Sequence, residues 1–376
     1  MANKKRSRGR PALQPRIAEN LRVRVAAMKP GEPFGTEVAI AAECGVTRMT
    51  VRKAVDELVA EGLVERRAGV GLFVCGKGGA ASEPVARLWR FVAGNLLWDS
   101  ALRTARAFRV AAAKSGVEVE LRDAGGDMKA LVAEIAALPE SGAAGAAVFS
   151  QHGAEFDEAI RAVAAKGYPV VVVDEKLGPC CPATCILSDN ALGGRLVAER
   201  IVREGHRKSA FVGDFVADTV RARWEGFAGL VTALGGEKPA KYDIKGEDRL
   251  GDWATEVHAA VRRILKGKDR PTVLFCSCDA IARHAMRALA EEGVSVPCDM
   301  SLVGFDDDPI AEWTSPALTT IRQDFSAMGA GAARALAARI KDPSAPGRTL
   351  LVSVSIVVRE SLARRAHGTE KISANA

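Results

Sequence analysis

Arg48 and Arg52 stand four residues apart in the run TRMTVRKAVDELVA, with Thr47 and Thr50 beside them. Residues at that spacing share one face of a helix, and the threonines fall where its first N–H groups lack partners. A guanidinium can grip guanine O6 and N7 through two parallel bonds. Hydroxyls and free N–H groups suit phosphate oxygens. The chemistry on offer is that of reading DNA. Further along, Arg66 and Arg67 precede the turn AGVG, where Gly69 lets the backbone come close to a sugar–phosphate strand. Catalytic chemistry is not expected. Asp306 to Asp308 offers paired acids, but loop carboxylates often cap helices, and no P-loop, GxSxG or HExxH run accompanies them. The eight cysteines form no CxxC pair with a second ligand pair, and the five histidines are scattered. No metal and no cofactor are expected, and the thiols read as reduced and cytoplasmic.

Three helices and a hairpin must hold these arginines. From Ile17 to Met28 the pattern is helical, and Lys29-Pro30-Gly31-Glu32-Pro33 ends it. Thr36 caps a second helix through Cys44, Gly45 makes a tight turn, and Thr47 caps the third helix. In that helix Val51, Val55, Leu58 and Val59 form a stripe to bury, leaving Arg48 and Arg52 outside it. Gly62 closes it, and LVERR, AGVG and LFVC make a hairpin. The sum is a winged helix-turn-helix, whose third helix enters the major groove by its N-terminal end. A small helical domain with a solvated arginine face would share the charge pattern, but not the hairpin.

Charge divides the chain. Residues 1–77 hold 15 basic and 8 acidic side chains, and the remaining residues hold 38 of each, so the whole formal excess of +7 lies at the front. Such asymmetry suits a polyanion-binding module joined to a neutral one; a solubilising tail is the other reading, because five positive charges fall within Lys4–Arg10. A linker is expected over 78–87, where Gly, Ala and Ser dominate, and a frayed tail over 366–376. The start has a signal peptide's basic patch but no apolar stretch after it, and no run is long enough to span a bilayer. A cytoplasmic protein without a membrane partner is expected.

From residue 88, apolar runs alternate with helical stretches: LWRFVA, VEVELRDA, GAAVFS, YPVVVVDE, RKSAFVGD, PTVLFCSC and MSLVGFDD. Continuous apolar strands between helices mean parallel sheets covered on both faces. Some 270 residues of this suggest two α/β lobes, with ligands at the carboxyl ends of strands. The fold class is therefore α/β: a winged helix-turn-helix (α+β) over 1–77 and a two-lobed, doubly wound core over 88–365.

Two resemblances sharpen this. GVTRMTVRKAVDELVAEGLVERRAGVGLFV, preceded by KPGEPFGTEVAIAAEC, resembles the GntR family of bacterial transcription regulators. The resemblance implies DNA contacts by Thr47, Arg48, Thr50 and Arg52, by Thr36 at the second helix, and by Arg66, Arg67 and Gly69 in the wing. Phe34-Gly35-Thr36 replaces the family's usual Leu-Pro-Ser, and Val38 stands where an arginine is common. ILSDNALGGRLVAERIVREGHRKSAFVGD, RARWEGF, VPCDMSLVGFDDDPIAEWTSPALTTIRQDFSAMG and IVVRES resemble the effector-binding core of the LacI family, itself similar to periplasmic sugar-binding proteins. The combination is similar in organisation to arabinose repressors. It implies lobes of 88–185 with 319–341 and of 186–318 with 342–365, three crossings, and a homodimer. It also implies a sugar-like effector held by Trp98, Asp174, Arg223, Trp253, Cys278, Asp306, Gln323 and Phe325. Cys278 departs from the family's asparagine and removes an amide from that set. A ligand-responsive repressor acting on an operator in duplex DNA is the expected function; a sugar-binding protein without a transcriptional role is the alternative.

Overall fold

The computed structural model describes residues 13–26, 28–29, 31–44, 46–60, 63–67, 70–74, 88–178, 181–245 and 253–365. The linker at 78–87, the tail at 366–376, the run Lys4–Arg10, and Gly45, Gly62 and Gly69 lie outside the described residues. The chain divides into two units, Met1–Val85 and Ala86–Ala376.

In the first unit, helices α1 (Leu13–Ala26), α2 (Glu37–Cys44) and α3 (Arg48–Ala60) accompany strands β1 (Pro33–Gly35), β2 (Val64–Arg67) and β3 (Gly71–Val74). The strands form one antiparallel sheet in the order β1-β3-β2, with Arg67 opposite Gly71 at the turn. Two features differ from the sequence-based expectation. Helix α1 lies over 13–26 rather than 17–28, and β1 is an added strand, too short at three residues to show a period. Its placement follows from Phe34, which is fully buried against Ile40, Val51, Val55 and Leu58. Val59, expected in the stripe, is only half-buried. Both caps form: Thr36 Oγ1 accepts from Ala39 N at 3.2 Å, and Thr47 Oγ1 from Thr50 N at 3.3 Å.

The second unit begins with β4 (Leu88–Ala93), α4 (Asp99–Ala113), β5 (Glu118–Asp123), α5 (Met128–Ala136), β6 (Ala146–Phe149), α6 (Ala154–Ala165), β7 (Val170–Val173) and β8 (Thr184–Ser188). It crosses to a second lobe made of α7 (Asn190–Arg203), β9 (Ser209–Gly213), α8 (Asp218–Ala233), β10 (Ala240–Asp243), α9 (Ala254–Lys266), β11 (Val273–Cys276), α10 (Asp279–Glu291), β12 (Ser301–Val303) and α11 (Ile310–Trp313). Strand β13 (Thr320–Gln323) leads back to α12 (Phe325–Lys341) and β14 (Thr349–Val352), and β15 (Val354–Val357) returns to pair with β13. Two parallel sheets result, β14-β8-β7-β6-β4-β5 and β10-β9-β11-β12. AAVF, VVVV and VLFC are buried at every residue, as strands covered on both faces must be. Among the described residues no helix is long and apolar enough to cross a membrane.

The lobe boundaries differ from those expected in two places. The first crossing follows Ser188 rather than residue 185, because the whole of β8 sits in the first sheet. Residues 349–352 also belong to the first lobe: Thr349 pairs with Cys185 and Val352 with Ser188. Only the stretch from Val354 onward returns to the second lobe, since a strand joins whichever sheet edge offers it hydrogen bonds.

Candidate DNA-reading face and interlobe site

In the first unit the Thr47 cap starts α3, and the buried Val51–Leu58 stripe fixes its rotation. Arg48 then faces outward with 66% of its side chain exposed, its Nε 3.5 Å from Glu37 Oε2. Arg52 is exposed as well. The Thr47 and Thr50 hydroxyls bond to each other at 2.9 Å. In the wing, Arg66 donates to Asp56 Oδ1 at 2.6 Å and to Glu37 Oε1 at 3.2 Å. Those bonds raise its pKa, Asp56 contributing most. Arg67 pairs with Glu65 at 2.7 Å and lies over the Phe73 ring at 4.2 Å. The wing arginines are therefore tied to their own unit more firmly than Arg48 or Arg52. Glu37, which meets both Arg48 and Arg66, was missed by sequence reasoning; its partner Arg66 is 29 residues away.

In the second unit a cavity of about 550 Å³ opens between the lobes. It lies at the carboxyl ends of the strands, where open α/β sheets leave room for ligands. Trp98 follows β4, Ser150 and His152 follow β6, and Asp174 follows β7. Across from them, Asp214 follows β9, Cys278 follows β11, and Asp306 and Asp308 follow β12. Arg223 of α8, Trp253 before α9, and Gln323 at the end of β13 complete the wall. Seven of the eight expected effector residues thus line one cavity. Phe325 does not: it is 1% exposed in the first-lobe core, with the Arg103 guanidinium 4.9 Å over its ring. The apolar side of α12 needs that ring for packing, which corrects its expected place in the wall. His152, Asp214 and Ser277 were missed, although the strand-end rule applied to AVFSQH, FVGD and LFCSC would have found them.

Arg223 is the central cation. Its Nε donates to Asn190 Oδ1 at 2.8 Å and its Nη1 to the Ser277 carbonyl; Asp306 Oδ1 lies 3.7 Å away and the Phe305 ring 3.8 Å below. Glycines make this placement possible. A Cβ on Gly194 of α7 would stand 2.1 Å from the Arg223 carbonyl oxygen, and one on Gly193 would meet the Phe305 ring at 2.5 Å. Gln323 Nε2 donates to Asp306 Oδ1 at 2.6 Å. Burial pushes the Asp306 carboxyl well above its usual range, although Arg223 pulls it back. Behind it, Asp279 is fully buried, accepting from Thr320 Oγ1 at 2.6 Å and from Asp308 N at 2.9 Å. Burial raises Asp279 to about 7 and Asp308 to about 6, the latter helped by the charge of Asp99. Asp307 is held below the usual range: burial opposes this, but Arg322 at 2.6 Å and Arg359 at 2.7 Å prevail.

On the first lobe, burial raises Asp174, against His152 and Arg223. Burial lowers His152, yet the hydrogen bond and charge of Glu175 outweigh it and the net shift is upward. Burial also lifts the Cys278 thiol well above its ordinary value, so it stays a protonated, weakly polar wall group. Among the described residues, only Asp174, Asp306 and Asp307 combine a side chain with a left-handed φ, at 65°, 117° and 55°. Strain of this kind gathers where a site demands a set geometry. A larger opening of about 750 Å³ lies beyond His152, but no tryptophan or phenylalanine lines it.

Comparison with known proteins agrees with both halves. Residues 13–74 match the model for bacterial regulatory proteins of the gntR family, and residues 198–362 match the periplasmic binding protein-like domain. The HTH-type transcriptional repressor PurR of Mannheimia succiniciproducens is 30% identical over 200 residues, covering 53% of this chain and 58% of that protein. The ribose operon repressor of Haemophilus influenzae is 31% identical over 185 residues, covering 47% and 52%. The chain thus spans little more than half the length of these relatives. Among solved structures, a LacI family regulator of Enterococcus faecalis with bound ribose shares the fold at TM-score 0.63 and 24% identity, covering 74% of this chain and all of that one. The lac repressor dimer bound to operator and an anti-inducer matches at TM-score 0.62 and 25% identity, covering 76% and 96%. The chain joins a domain of the gntR family of bacterial regulatory proteins to a periplasmic binding protein-like core.

Proposed function

We propose that this chain is a ligand-responsive, DNA-binding transcription regulator, a repressor whose dimer reads two half-sites of an operator. The observation that carries this reading is the pairing, in one chain, of an exposed Arg48 on a capped helix with an interlobe cleft of aromatic and charged walls. Arg48 and Arg52 supply base and phosphate contacts, with Thr36, Thr47 and Thr50 on phosphates and Arg66, Arg67 and Gly69 at the wing. In the cleft, Trp98 and Trp253 cover an apolar ligand face while Asp174, Arg223, Asp306 and Gln323 bond its polar groups, beside Cys278. Ligand closes the lobes, and the change reaches the reading heads through the segment 78–87. A ligand shifts DNA affinity only by its preference between lobe arrangements.

The ribose seen in the Enterococcus faecalis regulator and the operator held by the lac repressor dimer support a sugar-like effector and a dimeric, DNA-bound state. The relatives' role as repressors supports a non-catalytic protein working in the cytoplasm. The test is selection of duplexes from a random pool by the purified chain, followed by gel-shift titration at several salt concentrations. A dyad-symmetric consensus is expected, with affinity falling steeply with salt. Retention of no preferred sequence would leave a sugar-binding protein without a transcriptional role.

A further inference from the structure

The interlobe cleft is short of positive charge and rich in hydrogen-bond acceptors. Five half-buried aspartates line it: Asp99, Asp174, Asp214, Asp306 and Asp308. Two arginines and His152 face them, and the inner two, Arg223 and His152, already hold protein partners. Arg223 is taken up by Asn190, the Ser277 carbonyl, Asp306 and the Phe305 ring; Arg283 is exposed to water at the mouth. Asp99 has Arg103 at 3.2 Å, which leaves the inner carboxylates under-compensated.

Two buried side-chain atoms in the wall have no partner, Asp174 Oδ1 and Gln323 Oε1. Gln323 is 2% exposed and its Nε2 donates to Asp306, which leaves Oε1 as the unmet acceptor. Among the described residues no unpaired buried donor lines the cleft. An unmet acceptor in a buried wall is expensive unless a ligand supplies the donor. A neutral polyol could bond both atoms but would leave the charge. An acidic sugar would add repulsion. A protonated nitrogen does both jobs, since an ammonium brings donors and charge together, and tryptophan walls attract a cation as well as a ring.

We infer that the ligand of this cleft carries a protonated amine on a small hydroxylated or flat skeleton, an amino sugar being the simplest member, with its nitrogen directed at Asp174 Oδ1 and Gln323 Oε1. This rests on the reading of the cleft as the effector site and narrows the class of molecule it takes.

The experiment uses the full chain and matched trios on one skeleton: glucosamine, glucose and glucuronate, then galactosamine, galactose and galacturonate. Binding is read by calorimetry and by the shift in thermal unfolding. At least one amine binds tighter than its neutral partner by about tenfold or more, and the acid binds weakest. Asp174→Asn, tolerable at a left-handed φ, removes most of that advantage, so that amine and neutral sugar then bind within about threefold of each other. In the ligand-free protein the same variant raises the unfolding temperature, because a buried carboxyl whose ionisation burial disfavours is gone. An amine that binds no tighter than its neutral partner in both trios overturns the inference, as does a ligand-free Asp174→Asn that unfolds at lower temperature. Tighter binding of a neutral sugar that still releases DNA would sink the charge assignment and leave the regulator standing. Loss of sequence-selective DNA binding would sink the regulator and leave the trio comparison intact.

Discussion

Arg66 of the wing and Arg223 of the cleft each face carboxylates, yet they work in opposite surroundings. Arg66 meets Asp56 and Glu37 with 40% of its side chain in water, while Arg223 keeps only 6% exposed. Water and salt screen the first set, so it contributes little and can be exchanged for a phosphate. The second set is desolvated, and removing one member strands the others. The first unit thus keeps its charges exposed to water, and its stability comes from the Phe34–Leu58 core. The cleft instead holds its charges in a set geometry, with strained aspartates and raised carboxyl pKa values. An exposed charge gives attraction; a buried one gives discrimination.

Substitutions can break this contrast. Arg223→Ala should have the largest effect, about 3–5 kcal/mol off the core's unfolding free energy, because Asp306 and Asn190 lose their shared partner. Urea denaturation of the full chain reads it. Arg48→Ala should weaken operator binding by about 1–3 kcal/mol and relax base preference at one position per half-site, with no change in core unfolding. Quantitative gel shifts on single-base operator variants measure both; unchanged base preference would remove Arg48 from the reading face.

Stability against pH sharpens the buried side. Asp279 and Asp308 have native pKa values near 7 and 6, raised from 3.8. Between about pH 4 and 7 the native core holds protons that the unfolded chain has released, so stability falls as pH rises through that window. Asp279→Asn should flatten the slope between pH 5 and 7, a difference on the order of 2 kcal/mol across it. A slope that stays as steep would show that Asp279 is not its source. Arg66→Ala should have the smallest effect, under about 1 kcal/mol on stability.

The contrast also explains what the sequence revealed. The reading helix was legible because its signals are local: the Thr47 cap, the Val51–Leu58 stripe and the arginines all lie within one short run. The alternation of apolar strands with helices made the two parallel sheets legible, and strand ends together with the family resemblance located seven residues of the cleft wall. What stayed hidden depends on distant pairings. Strand β14 joins the first lobe through Cys185, which precedes it by more than 160 residues. Asp279 accepts its hydrogen bond from Thr320, 41 residues on. Phe325, two residues after the wall position Gln323, turns into the core because α12 starts there and directs its first apolar side chain inward.

The central claim is that occupancy of the cleft governs the reading head. Its most direct test takes the first small molecule that raises the unfolding temperature of the full chain and measures operator affinity with and without it, in the wild type and in Asp306→Ala. The account predicts a change of about 5- to 150-fold in the wild type and none in the variant, whose operator affinity without ligand stays normal. A molecule that fills the cleft of the wild type and leaves operator affinity unchanged would contradict it.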